Sequence, residues 1–321
     1  MPLLLSETDV RALLTVSKAI DLLGEAFRLQ GEGKAENDPR QRLSYPHGVL
    51  NYMAAAIPQA RVVGLKAYPA TASGATFAVL LFDSESGELL AMMQADWLGR
   101  IRTGAASGLA TRYLANADAR VAGVIGAGGQ SETQIEAIAS VRRLELIKVF
   151  SPTRERRLGL VRRLRGRMEA RIEAVESAEE AVRESDVVAA ITTAREPVIR
   201  SSWLKPGVHI NAAGANRLGH TEVDPSSVRQ STVIAVDDLA QARRESQDLL
   251  NASAQGDLDW TRVVELGSIV AGRAPGRGHM DDITLFESQG IALEDMAVAR
   301  YVYDQAVAAG RGRPIEFGDA E

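Results

Sequence analysis

Lys66 sits in an apolar run, Val62-Val-Gly-Leu-Lys-Ala-Tyr68. A lysine flanked in this way must reach water along its own stem or face a polar cavity. In a cavity it would bind a substrate carboxylate or donate a proton. Arg40 and Arg42 are two residues apart, so in an extended strand they share a face and can grip a carboxylate bidentately. That pair equally fits a solvated edge. Arg102 follows Asp96-Trp-Leu98 near the start of a Gly/Ala-rich helix, where a guanidinium suits a carboxylate or a cofactor phosphate.

A second chemistry-bearing stretch is Val121-Ala-Gly-Val-Ile-Gly-Ala-Gly-Gly-Gln-Ser-Glu-Thr133. It reads as a strand, a glycine turn and the start of a helix. Gly126 allows the tight turn, Ala127 follows, and Gly128 lets backbone approach a pyrophosphate. The helix N-terminus beyond offers N–H groups and partial positive charge. Ser131 stands where the fingerprint has its third glycine, small enough for helix–strand packing. After the next strand the chain reads Ser151-Pro-Thr153-Arg154. No acid is present to take the ribose 2′-hydroxyl; hydroxyls with an arginine favour a 2′-phosphate, hence NADP over NAD. Thr192 and Thr193 follow a later strand, at the sheet end where such cofactors lie.

Other chemistries find little support. The four histidines, His47, His209, His220 and His279, lie in no nucleophile setting, and no His/carboxylate spacing suggests a metal site. The absence of cysteine removes disulfides and thiolate catalysis. A net charge of -5 argues against a nucleic-acid or anionic-membrane partner. With no long apolar run and no signal-like N-terminus, the expected setting is cytoplasmic.

The elements that would position these groups change character along the 321 residues. Ser6 caps a first helix and Ser17 a second, with Ile20, Leu22, Leu23, Ala26 and Phe27 as its apolar stripe. A polar passage through Pro39 follows. From Arg40 to Met93 short strands alternate with turns, including a hairpin at Pro46-His-Gly48 and strands at 49–53, 62–68, 76–82 and 88–93, which favours an antiparallel or mixed sheet. Residues 96–114 read as a helix. Beyond Asn116, strands at 121–125, 146–150, 169–175, 187–191, 208–212 and 232–236 alternate with helices, as in a parallel doubly wound sheet. Residues 154–167 read as a solvated helix face. A last helix, 292–309, is expected to return to the first domain. The fold class is α/β: a Rossmann sheet plus a mixed α+β domain.

These blocks resemble the ornithine cyclodeaminase/mu-crystallin family over nearly the whole chain. Asp96-Trp-Leu-Gly-Arg-Ile-Arg-Thr-Gly-Ala-Ala-Ser107 is similar to its Arg-Thr-(Gly/Ala)-Ala block, Gly64-Leu-Lys-Ala-Tyr68 to its lysine strand, and Gly126-Ala-Gly-Gly-Gln-Ser131 to its cofactor loop. Ile283-Thr-Leu-Phe-Glu-Ser-Gln-Gly290 with Asp295 resembles its C-terminal block. The resemblance implies a substrate-binding and dimerisation domain over 1–115, completed by 292–321, a Rossmann domain over 116–291, and a homodimer. It implies that Arg40 (or Arg42 in its place), Lys66 and Arg102 hold a substrate carboxylate, with Thr76 also binding substrate. Thr103, Gly126, Ala127, Gly128, Gln130, Ser131, Thr192, Thr193, Asn216, Ser288 and Gly290 would line the dinucleotide, with Ser151, Thr153 and Arg154 at its adenosine end. Residues around Tyr45, Met53, Tyr68 and Thr76 would form the side-chain pocket.

One departure matters. Cyclodeaminases of the family carry an aspartate where Asn216 stands in Gly214-Ala-Asn-Arg217. An amide can orient an imine or ribose but is no base near neutral pH. The resemblance therefore points to the family's reductases and dehydrogenases: a carboxylate-bearing imine reduced at the expense of NADP or NAD, with Lys66, Arg102 and Asn216 catalytic. Ornithine cyclodeamination and non-catalytic small-molecule binding are the alternatives.

Overall fold

In the computed structural model, which describes residues 1–317, the chain divides into two compact units: Met1–Arg102 with the segment from Ile291 onward, and Thr103–Gly290. Residues 318–321 of the expected C-terminal return lie outside the described residues. No helix is long and apolar enough to cross a membrane among them.

The first unit opens with a reciprocal capping box. Asp9 N–H donates to Ser6 Oγ at 3.3 Å, and Ser6 N–H to the Asp9 carboxylate at 3.0 Å, starting the helix Glu7–Leu13. Thr15, not Ser17, caps the next helix, Val16–Gly31, by accepting from Lys18 N–H. Thr15 fits because it is extended, at φ -106° and ψ 156°, whereas Ser17 is already helical.

Eight strands among the described residues form a mixed sheet. In sheet order they are Arg313–Pro314, Leu3–Leu5, Leu89–Gln94, Ala78–Phe82, Val62–Thr71, Gly48–Ile57 and Glu36–Tyr45, with Gly74–Ala75 pairing off Val62–Thr71. The only parallel pair among them joins Leu3–Leu5 to Leu89–Gln94. The hairpin expected at Pro46-His-Gly48 forms, joining strands that pair from Tyr45↔Gly48. Two expectations need correction. The strand expected from Thr76 begins at Ala78, and the polar passage before Arg40 is itself strand from Glu36. That strand lies at the sheet edge with a bulge between Asp38 and Gln41, where Pro39, lacking an N–H, is tolerated.

Alternation along Gly48–Ile57 and Val62–Thr71 gives the sheet an inner face of Met53, Ala55, Ile57, Val62 and Lys66, all buried. The helix Ala292–Ala309 packs on these strands, with Leu293, Met296, Ala299 and Val302 fully buried. Each large apolar side chain so covered contributes roughly 1.5–3 kcal/mol.

The second unit is a parallel sheet ordered Arg171–Ala174, Leu146–Phe150, Val121–Ile125, Val187–Ala190, His209–Ala212, Thr284–Glu287, Val233–Val236 and Val263–Glu265. Two strands beyond the six expected are present, Val263–Glu265 and Thr284–Glu287, and the latter is internal, pairing with His209–Ala212 and Val233–Val236. The winding reverses at Val121–Ile125, the topological switch point of a doubly wound sheet.

The helix Asp96–Leu114 starts in the first unit and continues in the second. Glu7 accepts from its first amides, Asp96 N–H at 2.7 Å and Trp97 N–H at 3.0 Å. At its other end Arg142 donates to the carbonyls of Thr111 and Ala115, each at 2.8 Å, and Arg277 Nε to that of Leu114 at 2.6 Å. Anion at the start and cations at the end complement the helix dipole.

Candidate active site

Lys66 does not snorkel. Its side chain is 3% exposed, and Nζ donates to Asp295 Oδ1 at 2.9 Å. Gly64, two residues earlier on the same face, permits the approach: a Cβ there would lie 2.3 Å from Leu80 O and 2.6 Å from Met296 Sδ. Gly99 likewise faces the ammonium, where a Cβ would stand 3.0 Å from Lys66 Nζ. The counter-charges come from the first turn of Ala292–Ala309, where the helix dipole favours acids. Arg102 joins them, with Nε 3.2 Å from Asp295 Oδ1 and Nη1 2.7 Å from Glu294 Oε2.

Burial costs a charge several kcal/mol unless it is paired, and the pKa shifts follow. Burial pulls Lys66 down to about 8; the Asp295 carboxylate partly opposes this and the Arg102 and Arg40 charges add to it. Burial opposes the Arg102 charge, but Asp295 and Glu294 outweigh it and hold the guanidinium charged. Burial also raises Glu294, against the pull of Arg102. Lys66 and Arg102 thus stand with Asp295 and Glu294 in a buried cluster of charges, with the Arg40 charge near enough to act on Lys66, a setting in which a small carboxylate can be paired.

Arg40 is 5% exposed and lies at the bulge, while Arg42 is exposed. Met53 is buried opposite Lys66 in the neighbouring strand, and the Tyr68 and Phe77 rings lie 6.0 and 5.5 Å from its ammonium. Thr76 is exposed in the turn before Ala78, and Tyr45 is at the hairpin end.

In the second unit the two glycines of the turn differ in what they need. Gly126 adopts φ +118°, and a Cβ there would stand 2.4 Å from Ile191 O, whereas a Cβ on Gly128 would meet nothing within 4 Å. The first is a backbone necessity; the second leaves an open approach. The helix Ser131–Val141 has no side-chain cap on its N-terminus, and Gln130 Oε1 and Ser131 Oγ are buried without a hydrogen-bond partner among the described residues. Thr103, buried, accepts from Gln134 Nε2 at 3.3 Å. Ser151 is buried, while Thr153 and Arg154 are exposed at the start of Arg154–Leu164. That helix is not wholly solvated: Arg157 is buried and donates to Ser151 O at 3.0 Å.

The loops after Val187–Ala190 and His209–Ala212 meet on Glu222. Its carboxylate accepts from Thr192 N–H at 2.6 Å, Gly214 N–H at 2.7 Å and Ala215 N–H at 3.3 Å. Thr193 is exposed beyond Thr192, and Asn216 follows Ala215, its N–H donating to Gly214 O at 3.1 Å. Asp237 holds the other flank, accepting from Ser288 Oγ at 3.3 Å and Gly290 N–H at 2.6 Å. Buried His209 is pushed down to about 3 by burial and bonds Thr284 and Asn211, so it is no base at neutral pH.

Sequence reasoning missed Glu294, Glu222 and Asp237, and gave Asp295 no task. One signal was available: Glu294-Asp295 interrupts an otherwise apolar run, Ile291–Ala299, and two acids in a buried helix turn imply buried cations.

The chain is similar throughout to characterised proteins. Alanine dehydrogenase of Archaeoglobus fulgidus is 33% identical over 98% of each chain. The solved structure of Thermococcus litoralis Δ1-pyrroline-2-carboxylate reductase, in complex with NADH and L-proline, superposes with a TM-score of 0.93 at 33% identity, covering 98% of this chain and 100% of that one. An archaeal alanine dehydrogenase dimer with bound NAD gives 0.93 at 32% identity over 99% of both. Residues 1–310 match the model of one family; the chain belongs to the ornithine cyclodeaminase/mu-crystallin family.

Proposed function

We propose that the protein is an NAD(P)H-dependent oxidoreductase that reduces a small carboxylate-bearing imine or interconverts a small amino acid and its imino or 2-oxo acid. The observation that carries this reading is the buried ion-pair cluster of Lys66 and Arg102 on Asp295 and Glu294, with the Arg40 charge nearby. It sits in a chain whose relatives are named alanine dehydrogenase and Δ1-pyrroline-2-carboxylate reductase. Arg40 and Arg102 bind the substrate carboxylate and fix its orientation. Burial favours Arg40 over Arg42 for this task. Lys66, at about 8, stays largely protonated at neutral pH and supplies the proton taken up by the imine nitrogen, directly or through a water. When bound, the dinucleotide supplies the hydride equivalent for the imine carbon. Thr76, Tyr45, Met53 and Tyr68 shape the side-chain pocket.

Gly126, Ala127, Gly128, Gln130, Ser131, Thr103 and Thr192 receive the dinucleotide, with Asn216, Thr193, Ser288 and Gly290 along its path. Ser151, Thr153 and Arg154 take its adenosine end, where the exposed arginine favours NADPH. The first unit, Met1–Arg102 with the returning helix, is the substrate domain and the second, Thr103–Gly290, the dinucleotide domain. The working assembly is a homodimer built on the outer face of the mixed sheet, where Leu43, Tyr52 and Val63 are exposed. Asn216, unable to act as a base, disfavours cyclodeamination. Replacing Lys66 with Ala tests the assignment: reduction of a cyclic ketimine by NAD(P)H is expected to fall about 10²–10⁴-fold. Full turnover with unchanged substrate affinity would refute it.

A further inference from the structure

Behind the Glu222 carboxylate lie two more buried acids. Asp248, on the helix Gln247–Ala254, accepts from Glu222 N–H at 3.0 Å and from the Thr221 hydroxyl. Glu287, at the end of Thr284–Glu287, accepts from Ser246 Oγ at 3.2 Å at one oxygen, while its other oxygen, Oε1, is buried without a hydrogen-bond partner among the described residues. All three are at most 1% exposed, and no cation approaches them within ion-pair distance among the described residues. Holding three unpaired acids in a core is costly, so the arrangement calls for a use.

Glu222 is where that use shows. Gly214 packs so tightly that a Cβ would stand 2.2 Å from Thr192 N and 2.6 Å from Glu222 Oε1. The two loops and the carboxylate therefore form one rigid clasp. Thr192 opens one loop and Asn216 lies in the other, and both loops leave the sheet beside the switch-point strand or its neighbour. Ligands of doubly wound sheets bind at that end.

We infer that Glu222 is a positioning residue for dinucleotide binding: its buried carboxylate holds the Thr192 and Gly214–Ala215 backbones in the arrangement that receives the cofactor. This rests on the dinucleotide reading above. Ionised, the group accepts N–H donors at both oxygens. Protonated, one oxygen carries a hydrogen that opposes an N–H, and the clasp loosens. Burial raises Glu222 to about 7, against the bonds from Thr192 and Gly214, with the Asp248 charge adding to the rise. Asp248 is itself raised to about 6 by burial, and burial with both neighbouring acids lifts Glu287 well above its ordinary value. Dinucleotide affinity should fall as pH drops through about 7.

The test is direct NADH binding by the full chain without substrate, followed by fluorescence between pH 5.5 and 8.5; NADH has no 2′-phosphate to titrate in that window. Wild type is expected to bind about tenfold more weakly at the acid end, the worth of one charge-assisted hydrogen bond. Glu222→Gln should bind at that weak level at every pH, with a melting temperature showing it folded. Asp248→Asn, which removes the neighbouring charge, should move the wild-type inflection to lower pH and keeps the test alive if Glu222→Gln does not fold. A flat wild-type profile, wild-type affinity and inflection in Glu222→Gln, or an unmoved inflection in Asp248→Asn would overturn the inference while leaving the cofactor reading intact. Failure of wild type to bind NADH or NADPH at any pH would overturn both.

Discussion

Lys66 sets the pH range of the proposed chemistry. Its ammonium is both a binding charge and an acid, and burial places it at about 8. Reduction uses the protonated form, so kcat/KM for imine reduction is expected to decline as pH rises through about 8, while the reverse oxidation gains there. Asp295 holds that value up. In Asp295→Asn the supporting charge is lost, and the declining limb of the pH–rate profile should move to lower pH; a limb that stays in place would detach Asp295 from the proton chemistry. Asp295→Ala goes further, leaving Lys66 and Arg102 buried with Glu294 as the remaining carboxylate. A loss of about 3–5 kcal/mol in denaturant unfolding is expected, the usual consequence of breaking a buried pair. At the adenosine end, Arg154→Ala should weaken NADPH binding several-fold and leave NADH unchanged, since only NADPH offers a 2′-phosphate to an exposed guanidinium. Equal effects on the two cofactors would remove Arg154 from the site.

At the scale of elements, the glycine turn separates what the backbone requires from what a ligand requires. Gly126 needs its φ of +118° and its missing Cβ, so Gly126→Ala should destabilise the protein by at least about 1–3 kcal/mol from strain. Gly128 has open space before it. Gly128→Ala should melt like wild type yet bind NADH more weakly; unchanged affinity would mean that nothing approaches the turn there. These glycines were legible because a short apolar strand ran directly into them. The strand Glu36–Tyr45 was not: its Glu-Asn-Asp-Pro opening is polar, and it is held by pairing with Gly48–Ile57 across a bulge, a tertiary contact that overrides local preference. Thr284–Glu287 was hidden for a different reason. It has four residues with polar ends, and all are buried, so no alternation marks it. The cations of the site could be read by type, because a lysine inside an apolar run is conspicuous. Their carboxylate partners could not, since Asp295 lies 229 residues from Lys66 and only the folded chain joins them.

For the whole molecule, the mixed sheet of the first unit carries apolar side chains on both faces. Its inner face is covered by Ala292–Ala309. Its outer face shows Tyr52 and Val63 at 44% and 36% exposure, with Leu43 at 58% on the edge strand. A face of this kind is rarely left to water, and the proposed homodimer would cover it. Light scattering should therefore give the mass of two chains, and Tyr52→Glu with Val63→Glu should give one; a wild-type monomer would contradict the assembly. The central claim concerns the reaction, and turnover tests it most directly. Purified protein is mixed with NADH or NADPH and Δ1-pyrroline-2-carboxylate, an acyclic imino acid formed from a 2-oxo acid with ammonia, or ornithine with NAD, and both dinucleotide oxidation and proline release are followed. Steady oxidation of reduced cofactor with at least one imine is expected, with no ammonia-releasing proline formation from ornithine. Proline and ammonia from ornithine, with neither cofactor oxidised by any imine, would contradict the claim.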